Sequence, residues 1–330
     1  MGKKIIALLA GGYSGEYVIS IGSAAVAEKH IDADFFDVYK IIITKAGWIY
    51  TSADGESHEI DKNDFSLKLG RKKVRFDAVL MIIHGTPGED GKLQGYFDML
   101  GIPYTSCDAT TSALTFNKRY TVATAAFSGV KVARSLHLFR SVPYDVSTIL
   151  TQVRLPVFVK PNNGGSSLGM SKVADGKELG AAIEKAFKED NQVLIEEFIK
   201  GREITIGVIE SRGEIVVLPL CEIATKKDFF DYEAKYSAGF TDEIVPAPID
   251  ETQAKVLMAT ARKVYQVFNC KGIVRIDFIW NEVDDQPYML EINSVPGQSA
   301  ASIVPKMVQA HGWTMREFYS RQIEEAIGRR

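Results

Sequence analysis

Residues 272–297 read GIVRIDFIWNEVDDQPYMLEINSVPG, and this stretch decides the fold of the last third of the chain. Two apolar segments flank a polar connection, which predicts two β-strands. Because side chains alternate faces along a strand, Arg275 shares a face with Asp277, and Glu291 shares one with Asn293. Carboxylate and amide oxygens are the ligands that Mg²⁺ prefers, usually together with substrate phosphates. The pattern indicates either a magnesium site in a cleft or a buried ion pair of Arg275 with Asp277 or Glu291.

The composition is that of a folded chain with more than one domain. Its 330 residues suggest about two domains, or three small ones. The net charge of −3 gives no general attraction to nucleic acid or acidic membranes, so an anionic ligand must be met by local Lys and Arg. The three cysteines lack CxxC spacing, and no apolar run approaches the roughly 18 residues of a membrane span. We therefore expect a cytoplasmic protein without a nucleic-acid or membrane partner.

The order of apolar segments predicts an α/β fold. KKIIALLA, VISIGSAAVAEKH and FFDVYKIIIT form a β-α-β unit, and FDAVLMII adds a strand, which predicts a mainly parallel sheet through about residue 117. The Gly-rich turns at 11–16 and 84–91 fall at the carboxyl ends of its strands, where such sheets bind ligands. A small α+β module follows. The polar stretch 223–243 is long for a passive connection and indicates an active-site loop, and the helical tail packs either on its own chain or on a partner.

Two interpretations stay open for the basic residues near the middle of the chain. The loop NNGGSSLG follows Lys160, where small residues would let backbone N–H groups approach phosphate, but a simple hairpin turn fits equally well. Lys118 and Lys235 are either ligand contacts or ordinary surface lysines.

The acidic segment EEFIKGRE and one histidine are equally open. Glu196, Glu197 and Glu203 form either an exposed charged turn or a hinge whose backbone meets a purine and whose carboxylate meets a ribose. His84, at the end of an apolar strand, is either a base or a histidine with satisfied hydrogen bonds.

Seven segments in order resemble the D-alanine:D-alanine ligases of the ATP-grasp superfamily along nearly the whole chain. They are GGYSGEYVISIGSA, HGTPGEDGKLQG, GIPYTSCDATTSALTFNK, VKPNNGGSSLGMSKV, EEFIKGREITIGV, DYEAKYSAG, and VRIDF together with LEINSVPGQSAASIVP. One such motif would be weak support, whereas seven in the right order are very specific.

The resemblance implies an ATP-grasp fold of three α/β domains, at residues 1–117, 118–200 and 201–330, the first of them built on a parallel sheet. ATP would lie between the central and C-terminal domains, and D-alanine near the N-terminal one. Two Mg²⁺ or Mn²⁺ ions would be held by Asp277, Glu291 and Asn293. The implied nucleotide-binding residues are Lys118, Lys160, Glu196, Glu197, Phe198, Ile199, Glu203 and Lys235.

The resemblance also assigns the amino-acid substrates. Glu16 would bind the ammonium of the first D-alanine in a hydrogen-bonded set with Ser166 and Tyr236. Ser302 would hold the carboxylate of the second, while Arg275 and the Gly297 N–H would stabilise developing negative charge. His84 is included among the substrate-binding candidates.

The implied activity is the ATP-dependent joining of two D-alanines through an acyl phosphate, for peptidoglycan precursors, in a homodimer. Alternatives are a related ligase with D-serine or D-lactate as the second substrate, and a non-catalytic nucleotide-binding protein. Tyr236 favours an amine over a hydroxy acid as acceptor. Gln298 and Ala301 depart from the Met and His of many members, which concerns the shape of the second D-alanine pocket.

Overall fold

A computed structural model describes residues 2–165, 168–225 and 241–329 of the chain. The N-terminal sheet has the strand order β6-β5-β4-β3-β2-β1-β7. Its strands are β1 (Lys4–Gly11), β2 (Phe36–Ile43), β3 (Trp48–Thr51), β4 (Ser57–Asp61), β5 (Ser66–Leu69), β6 (Lys72–Val74) and β7 (Ala78–Met81). β1 lies parallel to β2 and β7, as the β-α-β pattern predicts. From β2 to β6 the neighbours are antiparallel, so the sheet as a whole is mixed.

Both faces of the N-terminal sheet are covered. Its helices are α1 (Tyr17–His30), α2 (Lys92–Leu100) and α3 (Ala109–Phe116), and the last helix of the chain, α9 (Met315–Gly328), returns to this sheet. Ile6 and Leu8 point to one side and join a core with residues of α1 and α9, whereas Ala7 and Leu9 join a core with α2. This burial on both faces explains why β1 is apolar along nearly its whole length. It also resolves the open question about the tail, which packs on its own chain.

The central sheet is antiparallel, in the order β10-β9-β11-β8. Its elements are α4 (Lys118–Phe127), β8 (Ser135–Phe139), α5 (Val146–Gln152), β9 (Val157–Pro161), β10 (Ser171–Val173), a 3₁₀ turn (Gly176–Glu178), α6 (Leu179–Glu189) and β11 (Gln192–Glu197). Leu179, Ile183 and Ala186 recur at helical spacing and bury one face of α6 against Val159 and Ile195. Lys160 and Glu196, next in their strands, therefore lie on the sheet face opposite α6.

The C-terminal sheet runs β15-β14-β12-β16-β17, with β13 paired to β12. Its elements are β12 (Gly201–Ser211), β13 (Glu214–Val217), β14 (Cys221–Thr225), β15 (Thr241–Ile244), α7 (Glu251–Val267), β16 (Ile273–Asn281), β17 (Gln286–Asn293) and α8 (Ile303–Ala310). Asp250 caps α7 by accepting N–H bonds from its first turn. Ile276 and Phe278 pack in the core that includes α7. The alternation of the strand places Asp277 on the other face.

Candidate active site

The polar residues of the opening stretch lie on adjacent strands and face the same side of the C-terminal sheet. Arg275 stands opposite Asn293, and Asp277 stands opposite Glu291. The register shifts immediately after Asp277, so that Phe278 pairs with Met289 and one extra residue is inserted in β17. Bulges of this kind re-aim side chains and are common beside functional sites. The four polar groups predicted to share one cleft are therefore neighbours.

Asp277 is the centre of this group and is only 6% exposed. Arg275 donates from Nε and from a terminal nitrogen to its two carboxylate oxygens, at 2.9 and 2.8 Å. Asn293 Nδ2 donates at 3.1 Å, and the Thr205 hydroxyl donates from β12. Burial alone would lower the pKa of Arg275, but the Asp277 carboxylate outweighs it and the pKa is raised. The ion pair that the sequence offered as an alternative is thus present.

The same group also fits a hard divalent cation. Asp277 and Glu291 place two carboxylates opposite each other on paired strands, near the amide of Asn293. These are all oxygen-bearing side chains, as Mg²⁺ requires. Within the part of the chain that the structure describes, no set of three or more His, Cys, Asp or Glu side chains is arranged to hold a metal. A metal at this place would accordingly use two carboxylates, the amide and ligand phosphates.

Two lysines of the central domain lie near its glycine-rich loop. Lys160 Nζ is paired with Glu196 across β9 and β11, with their side chains only 14% and 4% exposed. Lys118 Nζ donates to the carbonyl of Gly164 at 2.7 Å. β9 and β10 pair antiparallel, so the loop between them is also a hairpin connection. Both interpretations of this loop are therefore compatible with the structure.

The predicted hinge links the central and C-terminal sheets. Glu197 accepts an N–H bond from Arg154 at 2.9 Å, and Ile199 follows in the connection to β12. The Lys172 ammonium lies 4.6 Å from the centre of the Phe198 ring, a cation–π contact that the sequence pattern does not indicate. Glu203 lies on β12 opposite Ile279.

Glu16 reaches from the N-terminal domain to the central one. It forms the N-cap position of α1. A Cβ atom built on Gly165 would lie 3.0 Å from one of its carboxylate oxygens, and one built on Gly85 would lie 3.1 Å from the other. Glycine at both positions thus leaves room for the carboxylate. Ser166, the next residue of the loop, lies outside the described residues, as do Lys235 and Tyr236.

Ser302 begins helix α8 next to Gly297. A Cβ atom on Gly297 would lie 2.8 Å from Ser302 Oγ, so a side chain at this position would displace the Ser302 hydroxyl. Ser302 Oγ accepts the N–H of Ser299 at 3.1 Å, and the two hydroxyls are 2.8 Å apart. Backbone N–H groups at a helix N-terminus attract anions. Ser299 was not among the predicted residues, and its spacing of three from Ser302, at the N-cap position of α8, is the only local indication in the sequence.

His84 has a hydrogen-bond partner at each ring nitrogen. Nδ1 lies 2.7 Å from the carbonyl of Val295, which can only accept, so Nδ1 carries the proton. Nε2, 3.1 Å from Ser23 Oγ, is then the acceptor in the neutral ring. The Ser23 oxygen in turn accepts the N–H of Gln298 at 3.0 Å. Burial lowers the pKa of His84 and outweighs the bond to Val295, in agreement with a neutral ring whose hydrogen bonds are satisfied.

Glu89 lies in the same loop as His84, and the sequence pattern did not identify it as a site residue. Its two carboxylate oxygens accept N–H bonds from Gly85 at 2.8 Å and from Val295 at 3.2 Å. Burial, followed by the negative charge of Glu16, raises the pKa of Glu89 to about 7. These two hydrogen bonds and the charge of Arg275 act in the opposite direction.

The three sheets define an ATP-grasp protein: the Lys160–Glu196 pair and the glycine-rich loop lie on the central one, and the Asp277, Glu291 and Asn293 group lies on the C-terminal one. Family models described as "D-ala D-ala ligase N-terminus" and "D-ala D-ala ligase C-terminus" match residues 5–107 and 118–324. The chain belongs to the D-alanine–D-alanine ligase family.

Individual relatives extend along the full length. The chain is 44% identical to the D-alanine–D-alanine ligase of Flavobacterium johnsoniae, covering 98% of this chain and 99% of the relative. It is 43% identical to that of Parabacteroides distasonis, covering 99% of each. Among solved structures, D-alanyl-alanine synthetase A from Vibrio cholerae superposes with a TM-score of 0.89 at 29% identity, covering 99% of each chain. A D-Ala:D-Ser ligase from Enterococcus faecalis superposes with a TM-score of 0.85, also at 29% identity and 99% coverage of each chain. The predicted family and ATP-grasp fold are confirmed.

Proposed function

We propose that the protein joins two D-alanines into D-alanyl-D-alanine at the expense of ATP. The observation that carries this proposal is the end-to-end similarity to D-alanine–D-alanine ligases, at 44% identity, in a chain that keeps the Asp277, Glu291 and Asn293 group on facing strands. A non-catalytic nucleotide-binding protein would not need the Asp277 and Glu291 carboxylates opposite each other on paired strands.

The proposed reaction has two steps. A carboxylate oxygen of the first D-alanine attacks the γ-phosphorus of ATP, and the bond to the departing ADP breaks. The amine of the second D-alanine then attacks the acyl carbon, phosphate leaves and a proton is lost. Phosphoryl transfer of this kind depends on positioning and positive charge more than on covalent catalysis.

Residues of the central and C-terminal sheets would hold the nucleotide. Lys118 and Lys160 would bind phosphate oxygens, Lys160 exchanging part of its contact with Glu196 for the ligand. Asp277, Glu291 and Asn293 would hold divalent cations, which supply charge neutralisation of the phosphates. As the family resemblance implies, the segment from Glu196 to Ile199 would meet adenine, and Glu203 the ribose.

Residues at the junction of the domains would bind the amino acids. Glu16, beside Gly165, would receive the ammonium of the first D-alanine, and Ser302 at the start of α8 the carboxylate of the second. Arg275 and the Gly297 N–H would stabilise the oxyanion formed when the amine attacks, since preorganised donors act most strongly on charge that develops in the transition state. Lys235, Tyr236 and Ser166 keep their family-level roles in loop closure and in the set around Glu16.

The wider setting is likewise proposed at the family level. The dipeptide would supply peptidoglycan precursor synthesis in the cytoplasm, and the enzyme would act as a homodimer. No helix among the residues that the structure describes is both long and apolar enough to cross a bilayer.

The test is ADP release by the purified protein with ATP and Mg²⁺, with product identification by mass. Release that requires D-alanine and gives the dipeptide supports the proposal, whereas L-alanine should be inert. Competition of D-alanine with D-serine or D-lactate distinguishes the related ligases, and Tyr236 leads us to expect an amide product. ATP binding without D-alanine-dependent ADP release would contradict the proposal and favour the non-catalytic alternative.

A further inference from the structure

The segment 294–298 follows β17 in the connection to α8 and belongs by sequence to the C-terminal domain, yet Val295 and Gln298 in it contact the N-terminal one. Val295 is 3% exposed, and its side chain lies in the same core cluster as Ile83 and Leu93 of the N-terminal domain. The segment joins Asn293, a proposed metal ligand, to Gly297, a proposed oxyanion donor. Its placement therefore sets the distance between two parts of the site.

Both backbone polar groups of Val295 are held by side chains from across the domain boundary. Its carbonyl accepts from His84 at 2.7 Å, and its N–H donates to Glu89 at 3.2 Å. Ser23 accepts the N–H of Gln298 at 3.0 Å. Gly297 thus lies between two residues that the N-terminal domain fixes by hydrogen bonds.

Among the side chains that hold segment 294–298, Glu89 is the acidic one, and stability of the fold alone does not account for an acidic side chain at this place. Its carboxylate lies in a largely buried place near the negative charge of Glu16, where an ionisable group is costly. It receives N–H donors from both sides, Gly85 in its own loop and Val295 in the other domain. A glutamine has one acceptor oxygen and would turn an NH₂ group toward the second N–H. Only a carboxyl group with two acceptor oxygens satisfies both loops.

We propose that Glu89 is a positioning residue for the ligation: it ties the loop after β7 to segment 294–298 and so places the Gly297 N–H and Ser302 against the substrate that Glu16 holds. The inference rests on the proposed function. It assigns to Glu89 no contact with substrate, because its action passes through the backbone of Val295. A misplacement of about 1 Å in such a donor lowers the rate by roughly 100-fold.

The experiment compares Glu89→Gln with Asp90→Asn in the full-length protein. Asp90 is the neighbouring carboxylate, and its partner is Lys92 rather than segment 294–298, so it is a matched control. We expect Glu89→Gln to lower kcat about 10- to 100-fold with KM for ATP within about twofold of wild type, and Asp90→Asn to behave as wild type. Amide exchange of segment 294–298 should be faster in Glu89→Gln only. Circular dichroism establishes that each variant is folded.

The outcomes separate this proposal from the proposed function. Wild-type and Asp90→Asn activity together with unchanged kcat in folded Glu89→Gln would overturn the positioning role alone. Faster exchange with unchanged kcat would overturn it as well, because the contact would then be structural only. If Glu89→Gln does not fold, Glu89→Asp keeps both oxygens on a shorter arm, and unchanged kcat in that variant contradicts the proposal. Absence of D-alanine-dependent ADP release in the wild type would overturn both proposals.

Discussion

Replacement of Asp277 by Asn tests whether the polar face of β16 and β17 binds metal or is only a structural ion pair. The carboxylate accepts two hydrogen bonds from Arg275 and one each from Thr205 and Asn293. An amide keeps one acceptor oxygen and presents an NH₂ group to at least one of these donors. The negative charge opposite Glu291 is lost at the same time.

The magnitude follows from the burial of the pair. Arg275 and Asp277 side chains are 21% and 8% exposed, and removing one partner of such a pair costs about 3–5 kcal/mol. Arg275 keeps the nearby charges of Glu291 and Glu89, so we expect the lower end, about 3 kcal/mol in the free energy of unfolding. If Asp277 also binds metal, transition-state stabilisation of at least about 3 kcal/mol is lost, which corresponds to more than 100-fold in kcat/KM.

The assay measures urea unfolding and D-alanine-dependent ADP release over a range of Mg²⁺ concentrations. Glu222→Gln is the matched control, because Glu222 forms a similar bidentate pair with Arg202 and lies opposite Ile204, on the sheet face away from Asp277. It should lose stability while its turnover and Mg²⁺ dependence stay near wild type. A folded Asp277→Asn protein with near wild-type turnover at saturating Mg²⁺ would refute the metal assignment.

Three further predictions concern single contacts. Lys160→Gln breaks the pair with Glu196 and should raise KM for ATP about tenfold, because a charge-assisted contact is worth roughly 1.5–3 kcal/mol. An unchanged KM in steady-state kinetics would exclude a contact between Lys160 and phosphate. Gly272→Ala should lower the unfolding temperature, because Gly272 has φ +63° and an added Cβ would lie 1.8 Å from the Thr105 carbonyl oxygen; an unchanged melting curve would contradict this. Burial raises the pKa of Glu89 from 4.5 to about 7, so the stability that its protonated form contributes is complete below pH 4.5 and is lost as the pH rises through 7. Raising the pH from 4.5 to 8 should therefore lower the unfolding temperature of the wild type relative to that of Glu89→Gln. A difference that stays constant over this range would show that Glu89 does not titrate in it.

The strands and the facing of their polar groups could be predicted because they follow from local alternation. Arg275 and Asp277 are two residues apart, so any strand through them places both on one face. Whether they pair with each other or with a ligand depends on Thr205 and Asn293, which approach from neighbouring strands. Local pattern contains no information on that choice, so the sequence left both alternatives open.

The contacts between domains could not be predicted for a different reason. His84 and Val295 are separated by 211 positions, and Ser23 and Gln298 by 275. Periodicity reports on which face of an element is buried and not on which distant residue covers it. The antiparallel part of the N-terminal sheet has a local cause instead: the strands from β3 to β6 are only three to five residues long, too short to show a clear period.

The cost of the polar face argues that it serves a ligand. Replacing a buried ion pair by apolar residues of similar volume is often neutral or stabilising, so a sheet selected only for stability has no need of Arg275 and Asp277. The bulge beside Asp277 adds a second departure from regular pairing at the same place. Glu291 and Asn293 then bring further oxygen atoms to a site that already has one neutralised carboxylate. A bound cation would contact the Asp277 and Glu291 carboxylates directly, whereas a purely structural Arg275–Asp277 pair would not respond to Mg²⁺. The Mg²⁺ dependence, more than the loss of stability, therefore distinguishes the two interpretations.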